Sequence, residues 1–174
     1  MNLSLEILNK SKHNIKDFDC GKETLNQFLH RFAFKNQQLG LSKSWVLLDK
    51  DFTSPIQKQE IIGYFTLAIQ TIEPKIIQEE KLPNYQLPVT LIARIAVNKK
   101  FQGNGLGTKL LFLAIKQALK LNNNGLPTYA VVLDILDNDA MRFYQKFNFF
   151  RLLDNSEKRL FVPMKIIQKM FQAA

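Results

Sequence analysis

Read for where apolar positions recur, the chain predicts strands and helices following one another along its whole length. Leu3 to Leu8 alternates apolar and polar residues, the period of a half-buried strand, and Asn14 to Gly21 reads as a loop. From Lys22 to Gln38, Leu25, Phe28, Leu29, Phe32 and Ala33 return every three or four positions, which predicts one amphipathic helix stopped by Gly40. Ser44 to Leu48 and the longer apolar run Ile61 to Ile72 predict a hairpin, joined through the polar, Pro-containing stretch Asp49 to Glu60. Pro74 to Pro88 reads as irregular, with one helical turn around Ile76, Ile77, Gln78, Glu79 and Glu80.

The second half is more regular. Val89 to Val97 is an almost continuous apolar run, as expected of a strand covered on both faces. A glycine-rich segment follows, then a helix from Leu106 to Leu121 ended by Asn122-Asn123-Asn124-Gly125, residues suited to a left-handed cap. Tyr129 to Leu136 predicts another buried strand, Asp137 to Phe147 a helix, Phe149 to Leu153 and Arg159 to Val162 the last strands, and Met164 to Phe171 a terminal helix. Strand, helix, strand with short connections implies a parallel crossover. The expected class is α/β: a central mixed, twisted sheet of six to seven strands with helices on both faces, formed by residues 1–174 as one domain.

Composition narrows the setting. The chain has 174 residues, 46% of them hydrophobic and 22% charged, with 7 Gly and 6 Pro, enough apolar material for a core and too little Gly and Pro for a repeat or linker. One cysteine, Cys20, excludes an internal disulfide, and with no signal-like amino terminus or apolar run of membrane-spanning length the expected protein is soluble and cytoplasmic, with no membrane partner. Lys plus Arg exceed Asp plus Glu by 24 to 15, a net charge of +9. Such a balance suits an anionic partner, although the lysines are scattered, with only a modest cluster at Lys99, Lys100 and Lys109, and a merely solvated basic surface accounts for it equally well.

The sharpest local feature is Gln102-Gly103-Asn104-Gly105-Leu106-Gly107, between a buried strand and an apolar helix. A glycine turn entering a helix lets backbone N–H groups converge without side chains in the way, and the helix dipole adds partial positive charge. That describes a phosphate cradle; a simple tight turn is the plainer alternative. The dinucleotide fingerprint needs its third glycine one residue later than Gly107, and a P-loop needs Gly-Lys-Ser/Thr where the chain has Gly107-Thr108-Lys109.

The strand Leu91-Ile92-Ala93-Arg94-Ile95-Ala96-Val97, the loop Gln102-x-x-Gly105-x-Gly107 and the later segment Ala140 to Phe149 together resemble the GNAT family of acyl-CoA-dependent N-acetyltransferases. The resemblance implies acetyl-CoA as cofactor. It gives Gln102, Gly103, Asn104, Gly105, Leu106, Gly107 and Thr108 to the pyrophosphate, Ile95, Ala96 and Val97 to the pantetheine through their backbone, and Asn138 to the same ligand. Phe18-Asp19-Cys20-Gly21, Leu25-Asn26-Gln27-Phe28-Leu29 and Gly63-Tyr64-Phe65 extend the likeness to the GNAT toxins of bacterial toxin–antitoxin pairs. That branch acetylates the α-amine of aminoacyl-tRNA and is neutralised by a small ribbon-helix-helix antitoxin; the likeness leaves room for a homodimer. Asn148 stands where the family usually has Gly, and Asn tolerates a left-handed turn better than most residues.

The resemblance makes Tyr144 the catalytic residue, the general acid to the departing thiolate, and Arg94 a substrate-binding contact to the tRNA acceptor end. A phenol of ordinary pKa about 10 stays protonated at neutral pH and has a proton to give, while a core tyrosine is the plainer reading. Arg94 interrupts an apolar strand, which calls for an anion or an ion-pair partner. No general base stands out: an α-amine of pKa about 8 is partly neutral at pH 7 and needs little help, and Glu60 or Asp134 would be available to other substrates. His13 and His30 lack metal-ligand spacing, so no metal is expected, and Trp45, Phe28, Phe32, Phe34 and Phe65 sit at core-like spacings. Two other functions fit the same features, a GNAT enzyme acting on a small-molecule or protein amine, and a non-catalytic module that keeps the fold to bind a partner and DNA.

Overall fold

The structure, a computed structural model, describes residues 1–51, 57–77, 81–153 and 158–172. In chain order the elements are β1 (Leu3–Ile7), β2 (His13–Asn14), α1 (Glu23–Gln27), a π-helical segment (Phe28–Ala33), α2 (Phe34–Gln38), β3 (Lys43–Asp49), β4 (Gln59–Glu60) and β5 (Gly63–Ile72). A 3-10 turn at Pro74–Ile76 leads to β6 (Leu87–Val97), a second at Lys99–Phe101 leads to α3 (Leu106–Asn123), and β7 (Ala130–Asp134), α4 (Asn138–Tyr144), β8 (Arg151–Leu152), β9 (Arg159–Pro163) and α5 (Met164–Gln172) complete the chain.

Seven strands form one mixed sheet in the order β1-β3-β5-β6-β7-β9-β8, at the upper end of the expected number. β6 and β7 are parallel, with Val89 opposite Ala130 and Ile92 opposite Leu133, as the strand, helix, strand order requires. The expected hairpin is present, with β3 and β5 antiparallel. Trp45 lies opposite Phe65 with the rings stacked 5.3 Å apart, and the buried hydroxyls of Ser44 and Thr66, also opposite one another, share a 2.7 Å hydrogen bond.

Several local expectations are corrected. The helix over 22–38 is interrupted by the π-helical segment; Asn26 of α1 faces inward with Leu29 and Ala33, and Phe32, expected in the core, is about half exposed. β2, which ends on the first residue of the expected loop, and β4, within the expected hairpin connection, pair in parallel through His13 with Gln59 and Asn14 with Glu60. The helix after β7 stops at Tyr144 rather than Phe147, and Phe149 lies outside β8. Among the described residues only glycines have positive φ, so Asn148 does not adopt the left-handed conformation. Of the helical turn suggested at 76–80, residues 78–80 lie outside the described residues, and the turn that is present spans Pro74–Ile76.

The chain divides into two compact units, Met1–Ala68 with Arg94–Ala114 and Ile69–Ala93 with Ile115–Ala174. The first has a core of Leu8, Phe18, Leu29, Ala33, Val46, Leu48, Ile61 and Tyr64. The second is built on Ile72, Leu87, Val89, Leu91, Val132, Leu153 and Phe161. Among the described residues no helix is long and apolar enough to cross a membrane.

Candidate active site

In the first unit, the segment from Val97 to Leu106 is fixed by hydrogen bonds from nearly every polar side chain it carries. Asn98 is buried; its N–H donates to the Ile62 carbonyl at 2.8 Å, its Nδ2 reaches the Ile61 carbonyl, and its Oδ1 accepts from the Lys100 N–H. Gln102 Nε2 donates to the carbonyls of Val97 (2.8 Å) and Cys20 (3.0 Å). Asn104 Nδ2 donates to the carbonyls of Phe101 and Gln102. The side-chain amides of Gln102 and Asn104 are thus occupied in holding the turn, which leaves its backbone N–H groups as the donors for an anion.

Gly103 and Gly105 have φ of 81° and 71°, a region that costs other L-residues about 1–2 kcal/mol. A Cβ built at either position meets nothing within 4 Å, so conformation, not crowding, asks for glycine, and the approach to the backbone is open. The Lys109 N–H bonds the Gly105 carbonyl at 3.2 Å, starting α3 at the end of the loop. The leading N–H groups of the helix have no intrahelical acceptor and carry the positive end of its dipole. A loop so shaped can receive an anionic group such as a phosphate through those N–H groups.

Gly63 is required for another reason. A Cβ there would lie 2.9 Å from the Ala96 carbonyl oxygen and 3.1 Å from the Leu110 side chain, so β5 comes this close to β6 and α3 only without one. Ala96 and Val97 are, with Ile95, the residues whose backbone is expected to pair with the pantetheine.

Asp19 connects this loop to the segment before α1. Its carbonyl accepts the Lys99 N–H at 2.8 Å and its carboxylate pairs with Lys99 Nζ at 2.5 Å. Hydrogen bonds from Lys99, the Gly21 N–H and the Asn26 amide hold the Asp19 carboxyl well below the usual carboxylate range. Cys20 is buried, and desolvation pushes its thiol up, which suits packing and not nucleophilic chemistry.

Arg94 places its guanidinium 4.9 Å from the centre of the Phe28 ring, which stacks on Tyr64. A cation over an aromatic face is stabilised by about 0.5–2 kcal/mol, one reason the strand tolerates it. Tyr64 donates its hydroxyl to the Leu25 carbonyl at 2.8 Å and packs edge-on against Phe18. The two carboxylates considered as bases are both ion-paired: Glu60 with Lys100 at 2.5 Å, and Asp134, in the second unit, with Arg159 through two bonds of 2.6 and 3.0 Å.

Tyr144 and Asn138 belong to the second unit, at the two ends of α4. Asp137 caps that helix, its carboxylate accepting the Ala140 N–H at 2.9 Å, and Asn138 follows, exposed, in the first turn. Tyr144 closes the helix inside an aromatic cluster, edge-on to Phe143 and Phe150, and is 5% exposed. Burial pushes its hydroxyl well above the ordinary phenol range, so it is neutral and proton-bearing throughout the physiological range.

Asn26 was visible in the sequence only as part of a motif. Its signal was a polar residue sharing a helical face with Leu29 and Ala33, and the structure gives it two hydrogen-bond partners, Cys20 and Asp19.

The profile of the acetyltransferase (GNAT) family matches residues 16–149, which include the loop, Arg94 and Tyr144. A protein of Mycobacterium tuberculosis described as a tRNA-acetylating toxin is 26% identical over 140 residues, 78% of each chain. Among solved structures, the AtaTR complex bound with acetyl-CoA superposes with a TM-score of 0.82 at 26% identity, covering 98% of both chains. The KacTA–DNA complex does so with a TM-score of 0.80 at 26% identity, over 99% of this chain and 100% of the other. With the family profile spanning the greater part of its length, the chain belongs to the GNAT family of acetyltransferases.

Proposed function

We propose that this chain, acting over residues 1–174 as one acetyltransferase domain, transfers the acetyl group of acetyl-CoA to the α-amine of aminoacyl-tRNA, and so stops translation. The observation that carries the reading is the braced glycine loop opening α3 at the end of β6, in a chain whose relatives include a protein named for tRNA acetylation and a toxin–antitoxin complex with acetyl-CoA bound.

Gly103, Gly105, Leu106, Gly107 and Thr108 hold the pyrophosphate through backbone N–H groups, with Gln102 and Asn104 keeping the turn in shape. The backbone of Ile95, Ala96 and Val97 pairs with the pantetheine, and Asn138 contacts the same ligand. Acetyl-CoA supplies an activated acetyl thioester when bound. Tyr144 retains the proton needed by the departing sulfur, and Arg94 contacts the acceptor end of the tRNA. An α-amine of pKa about 8 has a usable neutral fraction at pH 7, so the ion-paired state of Glu60 and Asp134 does not obstruct the reaction. A net charge of +9 favours a polyphosphate acceptor. A small ribbon-helix-helix antitoxin is the expected neutralising partner.

A cell-free translation reaction tests this directly. The protein should halt synthesis when acetyl-CoA is present and spare it when acetyl-CoA is omitted. Arrest that is indifferent to acetyl-CoA, or no arrest at all, would contradict the reading.

A further inference from the structure

Asn26 is 7% exposed, a neutral amide on an otherwise apolar helical face, and both ends of its side chain are engaged. Its Oδ1 accepts the Cys20 N–H at 2.9 Å and its Nδ2 donates to Asp19 Oδ1 at 2.9 Å. The same Asp19 oxygen accepts the Gly21 N–H at 2.8 Å. Two carbonyls of the segment so gripped then face the glycine loop: Asp19 accepts from the Lys99 N–H at 2.8 Å, and Cys20 accepts from Gln102 Nε2 at 3.0 Å. His30, on the π-helical segment, donates from Nε2 to the Phe18 carbonyl at 2.9 Å and holds the same strap one residue earlier. An unbroken series of hydrogen bonds therefore runs from the helix to the loop, through pairs 80 and 82 positions apart in sequence.

We propose that Asn26 is a positioning residue for acetyl-CoA: it fixes the 19–21 strap, the strap fixes Lys99 and Gln102, and the glycine loop is thereby held with its N–H groups preorganised for the pyrophosphate. The inference rests on the acetyl-CoA reading above and adds a residue that does not itself touch the ligand. Preorganised donors bind an anion more tightly than mobile ones because ordering is not deducted from the binding energy.

Calorimetric titration of the full chain with acetyl-CoA alone tests it, followed by steady-state kinetics and amide hydrogen exchange on the ligand-free protein. Asn26→Ala should weaken acetyl-CoA binding and raise its KM by about three- to tenfold, the size of one net hydrogen bond or somewhat more, with kcat at saturation within about twofold. Exchange across residues 102–106 should accelerate. Gln102→Ala should have a similar effect, and the double variant should be little worse than either single one, because both cut the same series. Asn26→Asp, nearly isosteric, keeps the acceptor for Cys20 but sets a carboxylate against Asp19, and should also raise KM; it serves if the alanine variant fails to fold.

A merely structural role would lower the active fraction, and with it kcat, while leaving KM unchanged. Wild-type affinity in a folded Asn26 variant would overturn the proposal and leave the acetyl-CoA reading standing, as would independent, multiplying effects in the double variant. Absence of acetyl-CoA binding by the wild type would overturn both.

Discussion

Tyr144 is buried, edge-on to Phe143 and Phe150, and burial keeps its hydroxyl protonated far above neutral pH. Tyr144→Phe keeps the ring contacts and removes only the donor. If that donor serves the departing sulfur, kcat should fall by about 10²–10⁴-fold while acetyl-CoA affinity changes little. Rapid-quench kinetics beside calorimetry separate the two quantities, and a variant with undiminished kcat would remove Tyr144 from the chemistry. His13 is also buried, but in a setting that opposes its charge. Its Nδ1 accepts the Asn9 N–H at 3.0 Å, a bond that protonation there would destroy, while Nε2 lies 3.4 Å from Glu6. Desolvation lowers its pKa from 6.5, against a smaller opposing effect of Glu6. The unfolded chain therefore binds this proton more readily than the folded one, so the contribution is complete above pH 6.5 and is lost as pH falls through the lower folded value. Urea midpoints should drop between pH 7 and pH 5.5, less so in His13→Gln; parallel pH dependences would contradict this.

The glycine loop shows how an element combines covalent preference with bracing from afar. Gly105→Glu forces a side chain into positive φ at the helix entrance and puts a carboxylate beside the position proposed for the pyrophosphate, so acetyl-CoA binding should be abolished in a protein that still folds, a result read by calorimetry. Retained affinity would reduce the loop to a turn. The loop, its neighbours β6 and α3, and the β3–β5 hairpin were legible because each depends on local pattern: a long apolar run, a cluster of glycines, a stripe of Leu and Ala. The π-helical segment was not, since the residues over 22–38 satisfy a continuous α-helix equally well and the departure shows in Phe32, which turns out. β2 and β4, two residues each, are too short to carry a period. The part played by Gln102 was equally hidden: the motif placed it at the pyrophosphate, whereas its amide is bonded to Val97 and to Cys20, a partner 82 positions away.

At the scale of the whole molecule, two units each have their own apolar core; the loop and Arg94 belong to one, Tyr144 and Asn138 to the other. Membership of the GNAT family accounts for the order of strands and the position of the loop, and a net charge of +9 is consistent with an acceptor rich in phosphate. What distinguishes the proposed reaction from other amine acetylations is the acceptor nitrogen. The most direct measurement incubates the purified chain with radiolabelled acetyl-CoA and a mixture of charged tRNAs, hydrolyses the aminoacyl ester and identifies the released product. The account predicts label on the α-nitrogen of released amino acids, and none when the tRNA is uncharged. Labelled spermidine or peptide in parallel reactions, with charged tRNA left unlabelled, would contradict it.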